Sequence, residues 1–164
     1  MRKITELKPE EVIRLAISVE DRNEKVYLEY AAIFKEYEPK ASRVFEEMAN
    51  DEHGHGDLLR EFYRKKFGTL PPEDFMEEIE EPVEAPILPD SEVFVFDGMT
   101  PQKAFDVSKR TEILAQNFYA DLAKTASDPD LRTLFTELEQ IEKGHLDDAE
   151  KHERAFMEKE QKKG

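Results

Sequence analysis

Apolar residues recur in steps of three and four along four stretches of the chain. The first stripe runs Ile13, Ala16, Tyr27, Tyr30 and Phe34, and the second runs Phe45, Met48, Leu59 and Phe62. A third carries Phe105, Tyr119 and Leu122, and a fourth carries Leu131, Phe135, Leu138, Ala149 and Phe156. Steps of this size put residues on one face of an α-helix and form the seam along which antiparallel helices pack. Start signals precede each stripe. Glu10 and Glu11 follow Pro9, where the helix dipole favours acids, and Pro39 opens the second stretch. Thr100-Pro101 and Asp128-Pro129 read as N-cap and first helical residue of the third and fourth. The pattern predicts helices over about 9–37, 39–66, 101–126 and 129–160, in one domain spanning 1–164.

Only a few residues join the first helix to the second and the third to the fourth, so each pair is expected to form an antiparallel hairpin. Between the hairpins lies 67–100, which holds five of the nine prolines and so cannot be one helix. A connection that long lets the chain return along a bundle whose third helix runs parallel to its second. Helices of about 28 residues span about 40 Å, and about 34 extended residues reach roughly 110 Å. Inside the crossover, Val93-Phe94-Val95-Phe96 is apolar on both faces and is expected to cover the core or pair with a second chain. The predicted fold class is all-α, a four-helix bundle of two antiparallel hairpins joined by a long crossover.

Composition narrows the function. Apolar and charged residues each make up 38% of the 164, a balance that suits long amphipathic helices. The net charge of −15 excludes a nucleic-acid partner, which needs a basic surface. Having no cysteine, the chain cannot use disulfides, thiolate catalysis or cysteine-ligated metals. No apolar run reaches membrane-spanning length, and Met1-Arg-Lys-Ile-Thr lacks the apolar core of a signal peptide. The expectation is a soluble, cytoplasmic protein.

The hairpins repeat one another. An offset of 92 lays 20–31 on 112–123, matching Glu20 with Glu112, Tyr27 with Tyr119 and Ala31 with Ala123. An offset of 90 lays 45–57 on 135–147, matching Phe45, Glu47, Glu52, Gly54, His55 and Asp57 with Phe135, Glu137, Glu142, Gly144, His145 and Asp147. One helical hairpin is used twice. In an acidic chain a single Glu-x-x-His means little. Two at matching places, each with a matching glutamate on its hairpin partner, are a strong signal.

All six residues fall on the apolar seams, so Glu20, Glu52, His55, Glu112, Glu142 and His145 are expected to point inward. Buried carboxylates without compensating charge cost several kcal/mol each or take up protons, and two divalent cations balance four of them. A residue and its neighbour three places on share one helix face and can reach one site. Mixed imidazole and carboxylate donors fit iron or manganese.

This constellation resembles the ferritin-like di-iron carboxylate proteins, whose pattern is one Glu from each of two helices and Glu-x-x-His from each of the other two. Within them the chain looks most like a rubrerythrin-type (erythrin) domain lacking the rubredoxin module, and the resemblance covers all four helices. It implies a ferritin-like bundle with Glu52 and Glu142 bridging two metal ions, and with Glu20, Glu112, His55 and His145 as terminal ligands. Iron is the implied metal, with manganese or zinc as alternatives. The implied activity is oxidation of Fe(II) or reduction of hydrogen peroxide or oxygen. A separate electron-donor protein is implied for a peroxidase, as is a homodimer or higher homo-oligomer, with hairpin exchange between chains left open. The family commonly has a further Glu three places after the third-helix ligand; here that position is Ala115, which leaves a six-residue set. Iron storage and a non-catalytic metal-holding bundle stay open as alternatives. Against a large storage cage stands the end of the chain, Lys159-Glu-Gln-Lys-Lys-Gly164, which offers no apolar fifth helix.

Other residues rank behind these. Tyr27 and Tyr119, two turns beyond a ligand Glu, are candidates to hydrogen-bond site carboxylates or supply electrons. Asp51 is a candidate to orient a ligand histidine, and its counterpart Ile141 makes the two copies uneven. Gly54 and Gly144 are expected to let helices approach closely. His53 is expected at the surface, His152 in the core, and Glu24 is a candidate entry carboxylate.

Overall fold

The computed structural model describes residues 2–71, 85–93 and 98–164. A 3-10 turn at Ile4–Glu6 precedes α1 (Pro9–Phe34) and α2 (Pro39–Phe67); α3 (Asp90–Val93), α4 (Pro101–Thr125) and α5 (Pro129–Lys163) follow. Every regular element among the described residues is helical, and the fold class is all-α. Phe94, Val95 and Phe96 of the apolar crossover stretch lie outside the described residues, as do 72–84.

The helix ends follow local chemistry. Helix α1 stops at Phe34, three residues short of the sequence expectation, and 35–37 form a turn closed by the Glu38 amide donating to the Phe34 carbonyl at 2.8 Å. Glu38 precedes Pro39, and the proline ring disfavours helical backbone before it. At the start of α1 the Glu11 carboxylate accepts from the Lys8 amide at 2.8 Å and pairs with Arg2 at 2.9 Å. The Arg2 guanidinium holds the Glu11 carboxyl below its ordinary range. Thr100 caps α4 by accepting from the Lys103 amide, and Asp128 caps α5 by accepting from the Asp130 amide at 2.9 Å. Gly68, at φ +75°, ends α2 in the left-handed conformation that side chains resist, with its amide bonded to the Arg64 carbonyl.

Two compact units divide the chain, residues 1–28 with 46–86, and residues 29–45 with 87–164. In the first, α1 and α2 run antiparallel, as the cross-helix pairs Glu24–His53, Glu20–His55 and Asp21–Arg60 show. Its core is Ile13, Leu15, Ala16, Ile17, Val19, Tyr27, Met48, Ala49, Leu59 and Tyr63. The buried residue of the last turns is Tyr63, and Phe62, expected on the seam, is only half-buried.

The second unit joins the closed end of the first hairpin to α4 and α5. The Ser42 hydroxyl donates to the Ala31 carbonyl at 2.7 Å across the turn. Aromatic rings continue from there, Tyr30 to Phe45 at 5.4 Å and Phe45 to Phe105 at 5.1 Å. Two phenols tie the end of the crossover down: Tyr30 donates to the Val93 carbonyl and Tyr37 to the Met99 carbonyl, each at 3.1 Å. Helices α4 and α5 are antiparallel, braced by Glu153, which accepts from Lys109 at 2.6 Å and Gln102 at 2.5 Å.

That brace corrects one expectation. His152 is exposed, not a core residue, and Glu153 takes the half-buried position. A seam of 3.6-residue turns drifts against a strict seven-residue repeat, so the step after Ala149 is four and passes over 152. The expectation that Gly54 and Gly144 admit a close helix approach also fails. Both lie on the exposed side of their helices, and a Cβ at either meets nothing within 4 Å among the described residues.

Two measurements test this account. Gly54→Ala and Gly144→Ala should each raise stability by about 0.5–1 kcal/mol in chemical denaturation, because a helical glycine with open space carries only its entropic penalty. Burial, helped by the Glu29 carboxylate, pushes the Tyr30 phenol up to about 12. The folded state therefore holds that proton more tightly than the unfolded chain, whose tyrosines titrate near 10. Its contribution to stability is full below about pH 10 and is lost as pH rises towards about 12. Tyrosinate absorbance should show a late component that Tyr30→Phe removes.

Candidate metal centre

Each unit carries its own set of candidate ligand side chains. In the first, Glu20 of α1 and Glu52 and His55 of α2 are buried. His55 Nδ1 lies 3.3 Å from Glu20 Oε2 and 3.9 Å from Glu52 Oε2. In the second, Glu112 of α4 and Glu142 of α5 are buried. There His145 Nδ1 lies 3.9 Å from Glu112 Oε2 and 3.6 Å from Glu142 Oε2. The same ring nitrogen faces the carboxylates in both.

The local reason is register. Three residues of α-helix turn the chain by nearly one full revolution, so each Glu-x-x-His pair projects from one face, with its ligand atoms within 4.8 Å of each other. Phe45, Met48 and Leu59 flank the pair in α2, and Leu138 and Ala149 flank it in α5, all buried. The glutamate of the partner helix sits on that helix's own buried face, between Ala16 and Tyr27 in α1 and between Phe105 and Tyr119 in α4.

The donors fit a divalent ion. Atoms bound to one ion at about 2.1 Å lie about 3.0 Å apart in octahedral and about 3.4 Å apart in tetrahedral geometry, and up to about 4.2 Å when opposed. The four nitrogen–oxygen separations, 3.3 to 3.9 Å, fall inside that span. Within each half-site one imidazole supplies at most one positive charge against two carboxylates. A divalent cation completes the balance in a medium where net charge is costly. Carboxylate oxygen with imidazole nitrogen is a set that iron, manganese and zinc accept.

The remaining candidates are placed as follows. Tyr27 and Tyr119 are fully buried, Tyr119 with its ring 6.2 Å from Phe135. Asp51 and its counterpart Ile141 are both exposed. Glu24 is half-buried, and its carboxylate oxygens each lie 3.2 Å from His53 Nδ1. Nε2 of the same exposed ring lies 3.4 Å from Asp57. Ala115 is buried one turn beyond Glu112 and offers no donor. Asn23, its counterpart in the first copy, is a buried polar residue one turn beyond Glu20. Sequence reasoning passed over Asn23, although the repeat offset marks it as the place where the copies differ. The Asp21–Arg60 ion pair was also missed, since no spacing rule joins an exposed acid to a base 39 residues away.

Comparison with known proteins agrees with this reading. The family model described as Rubrerythrin matches residues 11–153. An uncharacterized conserved protein from Magnetospirillum magnetotacticum MS-1, solved as a crystal structure, superposes with a TM-score of 0.72 at 21% identity, covering 91% of this chain and 95% of that one. At that identity the likeness speaks for the fold, which is ferritin-like and all-α. A comparison with curated proteins finds no match. Among the described residues no helix is long and apolar enough to cross a membrane.

Metal binding should appear in stability. Zinc(II) at about one hundred times its Kd raises the unfolding free energy by about 2.7 kcal/mol per site, and a chelator reverses the gain. His55→Ala and His145→Ala should each abolish one such increment in thermal melts. A melting curve indifferent to every divalent ion would leave the six residues as a buried ion-pair cluster.

Proposed function

Because the chain belongs to the rubrerythrin family, we propose that it is a dinuclear-metal oxidoreductase that oxidises Fe(II) at the expense of hydrogen peroxide or oxygen. The observation that carries this reading is the doubled donor set, two buried glutamates and a histidine in each half of a duplicated hairpin. Two ions per chain follow, one for each half-site. Glu20, Glu52, His55, Glu112, Glu142 and His145 would hold them.

A pair of Fe(II) ions, when bound, supplies the two electrons that cleave the O–O bond of peroxide; two protons complete the formation of two water molecules. The protein's part is to hold and exclude. The carboxylates of Glu20, Glu52, Glu112 and Glu142 would hold the ions and offset their charge. The apolar seam above and below them keeps bulk water from the reacting centre. Tyr27 and Tyr119 act as donors that orient the site carboxylates. An external electron donor would restore the ferrous state.

Anaerobic loading with Fe(II), followed by one equivalent of peroxide, tests the proposal. Iron should saturate at about two per chain, and peroxide should be consumed at one per two irons oxidised, the stoichiometry of a two-electron reduction. Loss of a ligand in Glu52→Ala or Glu142→Ala should remove this reaction. Tyr27→Phe and Tyr119→Phe should slow it by about tenfold or more while metal still binds, as expected of outer partners. A soluble assembly that accumulates many irons per chain would establish storage instead. Tight zinc binding with no peroxide consumption by the iron form would establish a structural metal.

A further inference from the structure

The two half-sites differ in what covers them. In the first unit Arg60 of α2 and Asp21 of α1 form an ion pair, Nη2 to Oδ2, at 2.5 Å. Asp21 directly follows the ligand Glu20, and Gly56 directly follows the ligand His55. A Cβ on Gly56 would stand 2.8 Å from Arg60 Nη1 and 3.3 Å from Asp21 Oδ1. Guanidinium and carboxylate therefore rest on the backbone beside His55, in space that any side chain at 56 would occupy. Gly56 is accordingly buried, whereas Gly54 of the same helix is exposed. Asp57 lies 4.0 Å from the same guanidinium, and the Asp21 hydrogen bond raises the Arg60 pKa against the opposing effect of burial.

The second copy has neither the ion pair nor the glycine, although Asp57 has a counterpart in Asp147. Under the repeat offsets Asp21, Gly56 and Arg60 correspond to Ile113, Leu146 and Glu150. An isoleucine and a glutamate cannot form the pair, and a leucine fills the place the glycine leaves open. The His145 side chain is 19% exposed, against 8% for His55.

We propose that the Asp21–Arg60 pair is a latch across Gly56 that closes the first half-site, so that the ion held by His55 exchanges more slowly than the ion held by His145. The latch rests on the metal reading above and adds an order to it: the second half-site is where an ion enters and leaves. The physical basis is that releasing an ion requires water to reach its ligands and the two helices to part locally. An ion pair bridging those helices directly beside the ligands opposes both, whereas the second copy's cross-helix pair, Lys109–Glu153, joins residues three places from Glu112 and eight places from His145.

Release of cobalt(II) from the loaded full-length chain into excess EDTA, followed by the visible absorbance of the bound ion, tests this. Two phases of equal amplitude are expected. His55→Ala should remove the slow phase and His145→Ala the fast one. Asp21→Asn, Arg60→Met and Gly56→Ala, placed on both helices so that no single folding defect explains them, should each accelerate the slow phase about two- to fivefold, the range of an exposed ion pair. The fast phase should not move. A single release phase from protein holding two cobalt ions would overturn the latch and leave the metal reading standing. So would a slow phase unmoved by all three variants, or one that disappears with His145→Ala. A chain that binds no cobalt overturns the metal reading, and the latch falls with it.

Discussion

Glutamate at a seam position is the constraint around which the rest of this protein is organised. The seam of a helical hairpin is where leucine and phenylalanine belong, and a carboxylate there is tolerated only with compensating charge or hydrogen bonds. Glu20, Glu52, Glu112 and Glu142 are all at most 1% exposed, flanked along their helices by residues such as Tyr27, Leu59, Phe105 and Leu138. Each pair of carboxylates has an imidazole within 3.9 Å, and imidazole alone cannot balance two negative charges. A divalent cation can. The same physics that makes these positions costly in a plain helical core makes them a candidate metal site, because the donor side chains are already desolvated and held in register.

The repeated hairpin carries the donor set twice, and the two copies differ in its surroundings. The candidate ligand residues match between the copies while several of their neighbours do not. The first copy has Asp21, Asn23, Gly56 and Arg60 where the second has Ile113, Ala115, Leu146 and Glu150. A ligand set is intolerant of change, since losing one donor leaves the others with uncompensated charge. Residues one step away from it are free to alter access, hydration and stiffness without disturbing coordination. Unequal half-sites are therefore the natural outcome of a duplicated metal site, and here the difference is visible in the exposure of the two histidines.

The helices and most of the site were legible in the sequence because both are written in short-range periodicity. Apolar steps of three and four, proline at the start of each long helix and Glu-x-x-His on the stripe depend only on the geometry of a single helix. Repetition of the hairpin then separated meaningful glutamates from the many that merely solvate helix faces. Misreadings arose where the geometry of one helix was pushed past its range. His152 was counted one heptad beyond His145, but the seam had drifted by a residue. Gly54 and Gly144 were read as close-packing positions, although their side of the helix is open. Phe62 was placed on the seam one residue early, where Tyr63 is buried.

By itself, then, the order of residues determined the helices, their hairpin pairing and six inward-facing candidate donor residues, because each follows from turn geometry and from the cost of burying charge. Tertiary structure alone decided which side chains meet across helices. Asp21 finds Arg60 over Gly56, Glu153 gathers Lys109 and Gln102, and Tyr30 and Tyr37 hold the end of the crossover. These contacts join residues far apart in the chain, through long side chains whose reach and direction no local spacing encodes. They emerge only once the helices are packed and the exposed charges have chosen among several partners of similar energy.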